Sequence, residues 1–451
     1  MIDRSVAAPV VPWATFRREP TRSRRGGHHP PAGAAKTADG PAGSRMSVIR
    51  PKLPEDPIEY EPAAALAAGG GARKSLDAIA GPLERARRGV LDSATVVGPD
   101  RLLDAYKTPG ARAASELFAV LQTAVRIRDA ADRMIVLGDG RGALGARAVF
   151  DACAHPCHNE LSRGERGGKP RLSFACSLLD SDAVQGLLDL VAPAGRPRSG
   201  DLLDRWAVMI ADTAGDGAGM EVAARFFLAS LVDSVGGDRA ALADRLVVVA
   251  AADDRLARLA TAVGCTQVFT IPQHVGAGEA VFTPLGLLPA AVAGIDVVRL
   301  LEGAAALNRR FREASTPANP VLAFAAAPWL MAEQGHAARR LASPLSQLDA
   351  LCRWHDRLAD RADASLITSL IAREPRRDPL VVPPAPEGAA TADGGDRLAG
   401  TNWPDLSAVS PPPAQVEGTD RILLPRVDEH AIGQLLQLLV LAERLHPGRT
   451  L

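Results

Sequence analysis

The sequence predicts an α/β protein built on parallel sheets, and three observations carry that expectation. Five short, predominantly apolar runs, Met134–Leu137, Leu172–Cys176, Trp206–Ala211, Leu246–Ala250 and Gln267–Ile271, follow one another between stretches of helical character. Runs that are apolar rather than alternating are the pattern of strands buried on both faces, as in a parallel sheet covered by helices. At 451 residues the chain exceeds the roughly 100–200 residues of one domain, so two compact domains with tails are expected.

Taken in order, residues 1–70 are rich in Pro, Gly, Ala and Arg without apolar periodicity, and read as a disordered arm in which Met46 is an alternative start. Val6–Val11 is broken by Pro9 and closed by Pro12, so it makes no secretory signal core. A helical segment is expected over 71–130 and the first sheet domain over 131–284. Its covering helices include Gly219–Leu231 and Arg255–Val263, since parallel crossovers need a helical layer. The second domain is expected over 285–440. It starts helical, from Pro289 to about Asp363, then offers strand candidates at Leu380–Val382 and Arg421–Leu424 around a Pro/Gly/Ala-rich insert at 383–418. A final helix over Glu429–Leu445 carries Ile432, Leu435, Leu436 and Leu439 at helical spacing, and a tail is placed at 441–451.

Composition excludes several classes of function. Lys+Arg and Asp+Glu balance at 52 each, which leaves no field to draw nucleic acid or an anionic membrane. The longest apolar stretch, Val281–Ile295, is too short to span a bilayer and contains Pro284 and Pro289. Five cysteines, an odd number, fit reduced thiols in the cytoplasm better than a disulfide framework. His155, Cys157 and His158 supply ligand types that zinc accepts, but no second ligand pair follows at finger-like spacing, so no metal and no cofactor is expected.

One segment is more specific. Leu285-Gly-Leu-Leu-Pro-Ala-Ala-Val-Ala-Gly-Ile-Asp296, with Leu301-Glu-Gly-Ala304 and Asn319-Pro320 after it, resembles the glucose-6-phosphate isomerase family. Agreeing stretches occur in order at Leu137–Gly145, in the Glu221 helix after Trp206, at Gln273–Gly276, at Ser343–Leu358 and at Arg421–Leu436. The resemblance implies two sugar isomerase (SIS) domains of three α/β/α layers with helical connections. It also implies a site between them, usually completed across a homodimer.

Aldose–ketose isomerisation of a sugar phosphate needs a phosphate cradle, a carboxylate base, a ring-opening acid and a cation for the enediolate. Against the family pattern, the first phosphate loop reads Gly138-Asp139-Gly140-Arg141-Gly142, with Gly142 in place of a Ser hydroxyl. The second keeps Thr213 but adds Asp212 and Asp216, which repel a dianion. After Gly276, Gly278 stands where the family has Arg, and Glu279 beside it has the opposite charge. The base position holds Arg361 and the ring-opening His position Leu366. His336 and His355 lie near in sequence, but a lone helical His is more often packed or exposed than catalytic.

The expectation is therefore a protein of this family with impaired or absent catalysis. It would keep a cleft for a sugar phosphate around Gly138, Gly140, Arg141, Gly142, Thr213, Gly276 and Glu279, and act as a homodimer or beside an intact homologue. The alternatives are a working isomerase, or a different aldose–ketose chemistry using Asp139, Glu279, Asp360 or Asp363.

Overall fold

The apolar runs of the first half become the strands of one sheet. In the computed structural model, the described residues are 56–62, 72–92, 98–138, 142–175, 181–191, 200–211, 218–251, 254–265, 267–271, 278–315, 318–332, 339–358, 366–374 and 420–445. The strands are β1 (Glu59–Glu61), β2 (Arg133–Gly138), β3 (Arg171–Ala175), β4 (Trp206–Ala211), β5 (Leu246–Ala250), β6 (Val268–Thr270), β7 (Arg339–Ala342), β8 (Leu366–Glu374) and β9 (Asp420–Arg426). The helices are α1 (Ala72–Asp92), α2 (Pro99–Lys107), α3 (Glu116–Ala130), α4 (Gly142–Cys153), α5 (Ser181–Val191), α6 (Ala218–Ser234) and α7 (Arg239–Arg245). They continue with α8 (Arg255–Val263), α9 (Pro284–Ala293), α10 (Val297–Glu313), α11 (Pro320–Ala332), α12 (Asp349–Leu358) and α13 (Glu429–Arg444).

The first sheet is five-stranded and all parallel, in the order β3-β2-β4-β5-β6. Successive side chains of a strand point to opposite faces, so the uniformly apolar runs feed two cores. Met134, Val136, Met209 and Val247 face one core; Ile135, Leu137, Ile210 and Val248 face the other, where Phe227 and Leu231 of α6 and Leu256 and Ala260 of α8 cover them. Short polar side chains start several helices by accepting backbone N–H bonds: Ser115 before α3, Asp254 before α8, Thr283 before α9 and Asp428 before α13. Gly264 and Gly294, with positive φ, close α8 and α9.

The second sheet, in the order β1-β9-β8-β7, corrects the sequence reading in three places. Residues 59–61, expected within the disordered arm, form β1, antiparallel to β9 with Tyr60 opposite Ile422. The stretch expected to stay helical to Asp363 is interrupted by β7, whose residues alternate buried and exposed with a buried arginine, Arg339, at its first position. A strand begins at Leu366, ahead of Leu380–Val382, which lies outside the described residues, as does the insert at 383–418. β7, β8 and β9 run parallel, so β1 is an antiparallel edge on an otherwise parallel sheet. α10 and α13 cross closely: a Cβ on Gly303 would lie 2.0 Å from the His430 carbonyl oxygen, and one on Gly433 1.9 Å from that of Leu300. Gln434 of α13 accepts the Ile58 N–H at 3.2 Å and holds the segment entering β1. Among the described residues, no helix is long and apolar enough to cross a membrane.

Candidate functional site

Strand order selects the crevice. β2 is followed in sequence by β3 on one side, and the chain then returns to place β4 on the other, so the order reverses at the β2/β4 pair. Open α/β sheets bind ligands beyond the carboxyl ends of the strands at such a reversal. The register pairs Gly138, the last residue of β2, with Ala211, the last of β4. The strand ends that precede the two stretches singled out as phosphate cradles therefore lie side by side. Each leads into a helix, α4 at Gly142 and α6 at Ala218, and helix N-termini offer unpaired N–H groups and a positive dipole end to an anion.

Gly138 serves the turn by absence of bulk. A Cβ there would come 2.6 Å from the Ala143 Cβ, so only glycine lets the first turn of α4 fold back so tightly on β2. α4 then packs on α12. A Cβ on Gly145 would meet the Trp354 Nε1 at 2.9 Å, and this buried indole N–H has no hydrogen-bond partner among the described residues.

One helical turn beyond Trp354, Leu358 reaches Gly278. A Cβ on Gly278 would lie 2.9 Å from Leu358 Cδ2 and 3.4 Å from Cδ1. The backbone there is ordinary right-handed helical, φ −68° and ψ −38°, so conformation does not demand glycine. The space is tight: a Cβ at 278 would require the methyl end of Leu358 to shift. Position 278, where the family pattern has a cation, is thus crowded by an aliphatic group. In the sequence Leu358 figures only as the end of the Trp354–Leu358 match; its i,i+4 spacing from Trp354 is the available sign that both lie on one helix face.

Gly138, Gly142 and Gly278 are accordingly placed around α4 and α12. Gly140, Arg141, Thr213, Gly276 and Arg361 lie outside the described residues, as do Asp139, Asp212, Asp216, Asp360, Asp363 and His336. Glu279 begins a short 3-10 turn, Glu279–Phe282. Leu366 is the first residue of β8, paired with Arg339 at the start of β7 and thus at the amino-terminal edge of the second sheet.

The remaining titratable candidates belong to the scaffold. His355 is 1% exposed, with its Nε2 4.0 Å from Glu443 Oε1 of α13. Burial pushes the Cys352 thiol up to about 12, with Asp349 and Asp356 adding to the effect, so it is no thiolate nucleophile. In the Cys/His run, His155 Nδ1 accepts the Cys157 N–H at 3.0 Å and His158 Nε2 lies 3.0 Å from the Pro170 carbonyl. Among the described residues no group of three or more His, Cys, Asp or Glu could hold a metal ion.

No family model matches the chain. A glucose-6-phosphate isomerase of Symbiobacterium thermophilum is 33% identical over 244 residues, covering 54% of this chain and 51% of that protein. One of Heliobacterium modesticaldum is 31% identical over 251 residues, covering 54% and 52%. The chain therefore spans about half the length of the curated relatives it matches. Among solved structures, a hypothetical protein of Thermus thermophilus superposes with a TM-score of 0.60 at 18% identity, covering 86% of this chain and 93% of that one. A glucose-6-phosphate isomerase of Chlamydia trachomatis gives 0.52 at 12% identity, covering 80% and 72%. The chain is thus similar in sequence to glucose-6-phosphate isomerases over about half its length, and it shares a mixed α/β fold with solved structures that include one such isomerase.

Proposed function

We propose that this chain is a sugar-phosphate isomerase scaffold, with two SIS-type domains meeting near residue 284, that has lost aldose–ketose isomerisation and retains an anion-binding crevice at the β2/β4 reversal. The observation that carries the loss is at Gly278. A preorganised cation facing a developing enediolate is worth about 2.7–4 kcal/mol by analogy with oxyanion-hole donors. Here that position has no side chain, and Leu358 stands 2.9 Å from where one would begin. The replacement of the base position by Arg361 and of the ring-opening position by Leu366 supports the same reading. The retained crevice rests on the paired strand ends Gly138 and Ala211 and on the helix starting at Gly142.

The test is a coupled assay with fructose 6-phosphate beside a thermal-shift titration with glucose 6-phosphate and inorganic phosphate. Stabilisation without turnover is the expected pair of results. Turnover abolished by substituting Glu279 or Asp363 would instead establish a working isomerase, the reading favoured by the names of the relatives in sequence.

A further inference from the structure

The amino-terminal edge of the first sheet, at the opposite end from the crevice, is basic. Arg133 is the first residue of β2 and Arg171 the first of β3, and the register sets the two beside each other. Neighbouring strands lie about 4.8 Å apart, and like charges directly opposite on adjacent strands repel. Arg163 and Arg166 join the group through Asp132, the residue before Arg133. Four guanidinium groups therefore gather round one carboxylate.

That carboxylate is already committed. Its Oδ1 accepts from Arg163 and Arg166 and its Oδ2 from Arg171. Arg133, partly buried, forms no ion pair among the described residues and spends a single donor, Nη1, on the Ser173 hydroxyl at a long 3.4 Å. The Ser173 O–H is left to donate in its turn. Burial, and after it the Arg171 charge, hold the Arg133 guanidinium below its usual range. An anion set between the two arginines relieves both effects at once.

We propose that this edge, formed by Arg133, Arg171 and the Ser173 hydroxyl, is a second oxyanion site that takes a phosphate dianion, free or as the head of a small ester. Guanidinium forks present parallel N–H donors that fit phosphate oxygens, and two such charges match a dianion better than they match chloride. The site is separate from the crevice, because Arg133 and Gly138 are the two ends of β2, about 16 Å apart at the rise of a parallel strand. The inference does not depend on whether the crevice is catalytic.

Hydrogen–deuterium exchange of the full chain tests it by locating the ligand. Millimolar inorganic phosphate or glycerol 3-phosphate should slow exchange around Arg133 and over Arg171–Ser173, beyond what sodium chloride does at matched ionic strength. The stronger of the two ligands assigns the free ion or an ester. An anion held in the crevice would register instead over Gly142–Gly145. In Arg133→Gln the edge response should weaken by about tenfold or more, as charge-assisted hydrogen bonds are lost. Its melting temperature in phosphate-free buffer should be unchanged or higher, because a repulsion has been removed. Arg133→Lys, which keeps the charge without the fork, should bind more weakly than the wild type. An edge response matched by chloride, one confined to Gly142–Gly145, or one that survives Arg133→Gln would each overturn the proposal.

Discussion

The two sheets begin their strands on buried carboxylates that are neutralised in different ways. In the first, Asp132 immediately precedes β2, its side chain 1% exposed, and gathers three guanidinium groups. Arg163 approaches at 2.8 Å, Arg166 at 2.6 Å and Arg171 also bonds to it. These arginines spend their other donors on main-chain oxygens: Arg163 on Ala131 and Arg128, Arg166 on Lys169 and Leu161, Arg171 on Asn159. The excursion between α4 and β3 is thereby stapled to the sheet. In the second sheet Asp420 is fully buried and has Arg339 at 3.3 Å and the Tyr60 hydroxyl, which donates to it at 2.6 Å. Arg339 also donates to the Phe324 carbonyl at 2.7 Å and lies 3.8 Å from the centre of that ring.

The difference is one of solvent. Arg163 and Arg171 keep 18% and 26% of their side chains exposed and Arg166 none, so losing the carboxylate leaves two of the three guanidinium groups partly hydrated. Arg339 and Asp420 are 1% and 0% exposed, so losing either leaves its partner charged in the dry interior. Removing one partner of a buried ion pair costs more than the pair itself contributes.

Four variants sharpen the contrast. Arg339→Ala should be the most damaging, lowering unfolding free energy by about 3–5 kcal/mol in urea melts. A volume-matched Arg339→Met with Asp420→Leu should recover much of that, and if it does not, the pair is not the source of the cost. Asp132→Asn should lose about 1.5–3 kcal/mol, the range for hydrogen bonds to charged groups, and should expose the 154–170 segment to proteolysis before global unfolding. At the opposite, carboxyl end of the first sheet, Gly278→Ala should cost about 1 kcal/mol of overpacking. The cost should shrink in a Leu358→Ala background; an additive double mutant would show that Leu358 does not crowd the position.

The smallest effect concerns pH and sits inside the excursion that Asp132 staples. Burial is the main cause holding the His158 imidazole below its usual range. The folded state then takes up a proton less readily than the unfolded one, so the contribution is complete above about pH 6.5 and fades as pH falls through the folded value. His158→Gln should narrow the difference in melting temperature between pH 8 and pH 5. An unchanged difference would assign the acid sensitivity elsewhere.

How far the sequence announced all this follows the same division. The first sheet was readable because Met134–Leu137, Trp206–Ala211 and Leu246–Ala250 are buried on both faces by apolar side chains alone. The second was not. Its strands carry Arg339, Thr368 and Asp420, buried polar residues that read as surface until their partners are known. β1 is three residues, Glu-Tyr-Glu, with no apolar alternation to mark it. At the candidate site, the substitution at Gly278 was visible as a departure from a pattern, but its crowding by Leu358, eighty positions away, is a tertiary fact.

The pairing of Tyr60 with Ile422 also sets an order of events during synthesis. The first sheet draws on residues 133–270 and can assemble while the rest of the chain is still being made. The second cannot be finished then: its outer strand leaves the ribosome early and waits for β9, about three hundred and sixty residues later. Until Asp420 arrives, the Arg339 guanidinium and the Tyr60 hydroxyl lack the carboxylate that joins them in the native interior. A nascent chain stalled before residue 420 would present that unfinished edge to chaperones and proteases, which makes β9 the strand on which closure of the second sheet waits.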